Sequence, residues 1–459
     1  AALATHRTVV RTPRAAYSSA QSTPVDYMER EEKVGSVNYR PVPVVLSKGS
    51  GISVWDVQGT EYMDFLAGYS AVNQGHCHPR LVEAVQKQCS ELTLVSRAFY
   101  TDQFADYAEL MTKTLGYDRI LPMNTGVETG ETALKLARIW AYEVKGVQED
   151  QALMIYPENN FWGRTLAAIS SSSDPLSYNN FGPLLPGYLS VPYNDLDALE
   201  KCLEQHGPRV AGFMTEPIQG EAGVIVPDDG YLAKAHALCK KHQVLMIADE
   251  VQTGLGRTGK MLACDWDPVR PDVLLLGKAL SGGMMPVSAI LANDDVMLNL
   301  QPGQHGSTYG GNPLACSVAA EAIRVLIDER MAENAQLRGE QLRAGLQELV
   351  QSLPEGAVTE VRGRGLLNAI EFSPDACDAQ GQPLSGSDIC YELKDAAVRH
   401  GAKRGILAKP THGHIIRLAP PLLITEEQVS EALETFSSVL TNAFAGKNRL
   451  PDAERTRFH

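Results

Sequence analysis

The sequence predicts an α/β protein with a mostly parallel central sheet, helices on both faces, and a smaller α+β domain following it. Three observations predict this. Short β-rich apolar runs alternate with helical stretches through the middle of the chain, the runs end on polar residues, and beyond about residue 336 the alternation gives way to helix and strand with more loops.

The chain has 459 residues, 44% hydrophobic and 21% charged, enough for two or three domains with substantial cores. The 41 Lys+Arg against 55 Asp+Glu give a formal charge of −14, so nucleic acid is not an expected partner and any anionic ligand needs a local basic site. Eight cysteines occur without a CxxC pair, which suits reduced thiols in an intracellular compartment. No apolar run approaches the ~18 residues of a membrane span, so no membrane partner is expected either.

Residues 1–35 read as an N-terminal extension. The first 25 carry Arg7, Arg11 and Arg14, several Ser and Thr, and no acid. That composition suits a mitochondrial transit segment and equally a disordered extension; the expected address is the mitochondrial matrix or the cytoplasm, leaning to the first. Residues 36–84 form a segment joining the small domain, 85–335 a large domain, 336–444 a small one, and 445–459 a tail.

In GSGISVWDVQGTEYMDF, apolar and polar residues alternate on either side of Gln58-Gly59, which predicts a hairpin. In ETALKLARIWAYEV, Leu134, Ala137 and Ala141 recur at helical spacing while Lys135 and Arg138 face elsewhere, an amphipathic helix with Gly126 just before it. RVAGFMTEPI, LAKAHALCKKH, VLMIADEV and VLLLGKAL then continue the alternation, and a long helix is expected over 314–330. Ligands of open α/β sheets collect at the carboxyl ends of strands, which singles out Glu216, Asp249 and Lys278.

Two features mislead. GLGRTGK at 254–260 matches dinucleotide spacing, but KMLACDWDP runs into Trp266 and Pro268 where a helix must open, and Met261 stands where a P-loop needs Ser or Thr. His76-Cys77-His78 offers two imidazoles, too few to close a metal site, so no metal is assigned.

Lys278 ends an apolar run, where burial favours the neutral amine and makes it available to an aldehyde cofactor. Alone, it reads better as a lysine reaching from a strand end to solvent. Asp249 ends VLMIAD at the same sheet edge and needs a cation, either in a structural ion pair or at the pyridinium nitrogen of pyridoxal phosphate. MNTGVETGETALKL places small residues at a helix start, where free N–H groups suit phosphate; the alternative is a plain helix entry capped by Thr125. HGSTYGGNP adds Ser307, Thr308 and permissive glycines, fit for phosphate oxygens or for an ordinary turn.

NTGVETG, NFWGRT, EPIQGEAG, ADEVQTGLGRTGK, LLGKALSGG and HGSTYGGNP follow one another in this order, and through them residues 36 to 440 resemble the class-III aminotransferases of fold type I. The resemblance implies an enzyme dependent on pyridoxal 5'-phosphate, with Lys278 binding the cofactor aldehyde and Asp249 its ring nitrogen as the catalytic pair. It implies Gln252 at the phenolic oxygen, Phe161 stacked on the ring, and the N–H groups of Gly126 and Val127 on the phosphate. Thr308 of the partner subunit completes the phosphate site, with Ser307 beside it in the motif, so a homodimer with shared active sites is implied. One departure is Thr129, where the family more often has Ala.

VNYRPVPVVLSKGSG, LAGYSAVNQGHCHP and NNFWGRTLAAISSSSDP are most similar to the branch of the family that takes the δ-amine of ornithine, with 2-oxoglutarate as acceptor. The alternatives are the branches acting on acetylornithine and 4-aminobutyrate. The likeness implies Arg164 for ornithine's α-carboxylate or glutamate's side-chain carboxylate, a bidentate task no lysine reproduces. It implies Tyr39 at ornithine's α-end, Arg417 for glutamate's α-carboxylate, and Glu221 paired with Arg417 while ornithine is bound. Tyr69 supplies a polar contact that favours the longer diamino acid over 4-aminobutyrate. Outside these motifs the same residues read as surface arginines and core tyrosines.

Overall fold

In the computed structural model, residues 23–447 are described. The arginine-rich segment up to residue 22 and the tail from 448 lie outside the described residues; within the N-terminal extension, Pro24–Val34 is a helix with no buried residue.

A seven-stranded sheet forms the large domain, in the order Arg119–Met123, Ser288–Ala292, Val273–Leu276, Leu245–Asp249, Val210–Thr215, Leu153–Pro157, Tyr188–Val191. Ser288–Ala292 runs antiparallel to both neighbours, and the remaining pairings are parallel. VLMIA shows no polar alternation because both faces of its strand are covered. Leu245 and Ile247 pack with helix Gly126–Glu143, while Met246 and Ala248 pack against helices Leu196–His206 and Tyr231–Lys241.

Helix Gly126–Glu143 takes in Gly126 as its first residue instead of starting after it. Thr125 N and Oγ1 donate to the Glu128 carboxylate at 2.6 and 3.0 Å, which fixes the helix start and leaves the N–H groups of Gly126 and Val127 for a ligand. The long helix beyond the sheet spans Pro313–Asp328.

The smaller sheet is antiparallel, in the order Val358–Arg364, Leu367–Phe372, Ile415–Leu418, Lys409–Thr411. Helices Met331–Val350 and Glu426–Phe444 bury Leu342, Leu346, Val429 and Phe436 against it. The hairpin forms as expected, Ser53–Asp56 pairing with Glu61–Asp64, and Gly405–Leu407 adds to it in parallel. His76 Nε2 lies 2.7 Å from Asp64 Oδ2, and His78 Nε2 lies 3.1 Å from Glu329 Oε1. No helix among the described residues is long and apolar enough to cross a membrane.

Candidate active site

Strands Val210–Thr215, Leu245–Asp249 and Val273–Leu276 end at one edge of the large sheet, and their continuations place Glu216, Asp249 and Lys278 in the wall of a cavity of about 180 Å³. Lys278 turns out of its strand with φ +42, a left-handed conformation uncommon outside glycine. Burial pulls its ammonium below the ordinary lysine value, against the pull of Glu221 and Asp249. Burial also pushes the Asp249 carboxyl up to about 6, opposed by the Val251 N–H at 3.0 Å and by Lys278. The site thus holds an amine poised toward neutrality facing a carboxylate.

At the far end, the first turn of helix Gly126–Glu143 brings Gly126 and Val127 to the cavity. A Cβ at Gly126 would meet Val251 Cγ1 at 2.8 Å, so only glycine lets this helix start approach so closely. The Thr129 hydroxyl donates to Gly126 O at 2.5 Å. It is used inside the helix and adds nothing to the anion site.

Phe161 enters from the side, its N–H donating to Glu216 Oε2 at 3.1 Å, and the Arg164 guanidinium carbon lies 5.3 Å from its ring centroid. Glu221 Oε1 accepts from Arg417 Nη1 at 2.6 Å and from Gln252 Nε2 at 3.3 Å. Burial works against charge on Glu221, but Arg417 and Lys278 outweigh it and hold the carboxyl below its ordinary value. Arg417 is 5% exposed, and its guanidinium carbon lies 5.2 Å from the Tyr69 ring.

Gly126, Val127, Phe161, Glu221, Asp249, Gln252 and Lys278 therefore share one cavity, with Arg417 and Tyr69 joined to it through Glu221. Four other expected residues do not line the cavity. Arg164 is exposed and donates to Ser177 Oγ at 2.8 Å; Tyr39 is 64% exposed. Ser307 Oγ accepts from Asn124 Nδ2 and Gly310 N, and Thr308 is exposed. Trp162, Gly163 and Val251 line the cavity without having been singled out, although each lies inside a quoted motif. Glu216, a suspect from its place at a strand end, lines the cavity too, with no role assigned to it by the resemblance.

The residues fit pyridoxal 5'-phosphate. They offer an amine for its aldehyde, a carboxylate for its ring nitrogen and a helix N-terminus for its phosphate. Gln252 Oε1 is buried without a hydrogen-bond partner, and Gln252 Nε2 is the donor that a phenolic oxygen needs. The Oε1 atom lies where a Cβ on Gly220 would come within 1.5 Å.

Residues 34–440 match the family described as Aminotransferase class-III. The mitochondrial ornithine aminotransferase of Rattus norvegicus is 55% identical over 413 residues, 90% of this chain and 89% of that protein. Among solved structures, the ornithine aminotransferase of Toxoplasma gondii superposes with a TM-score of 0.86 at 49% identity, covering 92% of this chain and 96% of that one. The acetylornithine aminotransferase of Elizabethkingia anophelis gives 0.80 at 48%, covering 92% and 99%.

Proposed function

The chain belongs to the class-III aminotransferases, and on that premise we propose that it transfers the δ-amino group of L-ornithine to 2-oxoglutarate, giving L-glutamate 5-semialdehyde and L-glutamate in ping-pong fashion. The observation that carries this reading is the Arg417–Glu221 pair at 2.6 Å beside Lys278. A site that must accept one substrate by a distal amine and another by its α-amine needs an arginine that can be withdrawn and released.

Bound pyridoxal 5'-phosphate supplies an electron-withdrawing ring that stabilises negative charge at the carbon losing its proton. Lys278 would hold it covalently, Asp249 at the ring nitrogen, Gln252 at the phenolic oxygen and Phe161 on the ring face. The N–H groups of Gly126 and Val127 would hold the phosphate, with Thr308 of the partner subunit. Lys278 Nζ, neutral once freed, takes the proton from the donor's δ-carbon. While Glu221 neutralises Arg417, a donor's α-carboxylate gains nothing there, and ornithine enters with its δ-amine toward Lys278. Glutamate requires the pair to open; Arg417 Nε, buried and without a partner, is already free to join a bidentate grip on its α-carboxylate.

The exposed edge at Thr308 supports a homodimer in which each subunit completes the other's site. The mitochondrial name of the rat relative and the arginine-rich, acid-free N-terminal composition support a mitochondrial address.

Stopped-flow measurement of each half-reaction, with cofactor absorbance as reporter, tests the reading. Glu221→Ala should slow the ornithine half-reaction by roughly tenfold or more and erode δ-selectivity, while the glutamate half is preserved or faster. Arg417→Ala should do the reverse. Equal damage to both halves by both variants removes the switch, and preference for acetylornithine or 4-aminobutyrate over ornithine in a donor panel overturns the choice of donor.

A further inference from the structure

We propose that Lys409 is a further substrate-recognition residue, whose ammonium holds the α-carboxylate of a diamino-acid donor and so discriminates against donors that lack it. The inference rests on the ornithine reading and deepens it. Lys409 opens strand Lys409–Thr411 and stands directly across from Arg417 in antiparallel register, so the two cations project from the same face of the small sheet. Their pairing differs. Arg417 is joined to Glu221 at 2.6 Å, whereas among the described residues no carboxylate lies within 4.0 Å of the Lys409 ammonium.

What surrounds that ammonium is aromatic. Lys409 Nζ lies 5.2 Å from the Tyr39 ring centroid and 5.9 Å from that of Tyr69, and Tyr69 is the ring that also faces Arg417. A tyrosine of the N-terminal segment and one of the turn at 67–70 are thus gathered around a single unpaired cation. Aromatic faces attract a cation by about 0.5–2 kcal/mol but leave its charge uncompensated. A carboxylate arriving there gains a partner without displacing another. The donor's α-ammonium is repelled from the same place, which sets the polarity of the bound α-carbon and leaves the δ-amine directed away from Lys409. Neighbouring Arg417 cannot take this role while Glu221 neutralises it, and Lys409 adds a second cation to the carboxylate that the family resemblance gives to Arg164.

The test compares ornithine with 1,4-diaminobutane, which is ornithine without its carboxylate, on the holoenzyme. Lys409→Met should lower kcat/KM for ornithine by roughly tenfold to a hundredfold, chiefly through KM. The inhibition constant of 1,4-diaminobutane against ornithine should stay the same or fall. Lys409→Arg, which keeps the charge, should recover most of the ornithine value; if the Met variant does not fold, Lys409→Gln set against Lys409→Arg makes the same contrast. An unchanged KM for ornithine, or equal weakening of both ligands, overturns the role of Lys409 and leaves the proposed reaction standing. A wild-type enzyme that does not turn over ornithine overturns both.

Discussion

Glu216 accepts the Phe161 N–H on one carboxylate oxygen and the Gly220 N–H on the other, each at 3.1 Å. One side chain therefore ties the loop carrying Phe161 to the turn leading into Glu221. Burial and the neighbouring Asp249 push its carboxyl from 4.5 up to about 8, against those two N–H groups. An acid whose pKa rises on folding contributes stability that is full below its unfolded value and is lost as pH rises through the folded one. Glu216→Gln removes that dependence. The amide cannot accept both N–H groups, at a pH-independent cost of about 1–3 kcal/mol, so the variant should gain on wild type steadily from pH 4.5 to about 8. Thermal unfolding of the cofactor-free proteins across this window measures it, and parallel profiles would show that the Glu216 proton is not linked to folding. The position of Glu216 was legible in RVAGFMTEPI, because an apolar strand must end on something polar. Its double acceptor role was not, since Phe161 lies 55 residues away in sequence. Lys409 was invisible for the same reason: only the register of two strands sets it across from Arg417.

At the scale of elements, the stretch GLGRTGK shows how a motif can match in spacing and serve packing instead. It forms consecutive turns after strand Leu245–Asp249, with Gly256 and Gly259 at φ +87 and +91, and delivers Arg257 into a fully buried position. Its guanidinium donates to Leu366 O at 3.0 Å, Pro420 O at 2.6 Å and Asn73 Oδ1 at 2.5 Å, joining the large-domain loop to the small domain and the N-terminal segment. Burial depresses its pKa to about 9, so these acceptors replace water for a cation. Arg257→Met should destabilise the protein by about 2–4 kcal/mol by leaving acceptors unpaired, and Arg257→Lys, with a single nitrogen, should recover only part of that. Denaturant unfolding checks both, and an unaltered midpoint in the Met variant would remove the clamp. The sequence excluded a nucleotide site because no helix follows, but the clamp depends on how the domains meet. The turn carrying Tyr69 was equally hidden. Ala67, Gly68, Tyr69 and Ser70 all lie between φ +48 and +67, held by Asp64 Oδ1, which accepts from Leu66 N and Ala67 N at 2.8 and 2.9 Å. Only glycine advertises such a conformation in a sequence.

For the whole molecule, the motif HGSTYGGNP poses a problem that a single chain does not solve. Neither Ser307 nor Thr308 lines the chain's own cavity, yet Thr308 is exposed and adjoins Tyr309 at 58%, while Phe99 and Tyr100 on an earlier loop stand 68% and 99% exposed. In the proposed homodimer, a symmetric partner that carries Thr308 to the neighbouring phosphate site would account for both observations. Subunit mixing tests this more sharply than size measurement. Lys278→Ala homodimers should be inactive, and Thr308→Ala homodimers should need roughly tenfold more cofactor for half-maximal activity, the loss of about one charged hydrogen bond. In the mixed dimer, the subunit bearing Thr308→Ala keeps its own Lys278 and receives an intact Thr308 of the partner subunit. One complete site then exists, so activity at limiting cofactor should return to wild-type affinity at half the wild-type amplitude. If Thr308 instead served its own chain, each site in the mixed dimer would carry one of the two defects, and mixing would leave cofactor affinity at the weakened value.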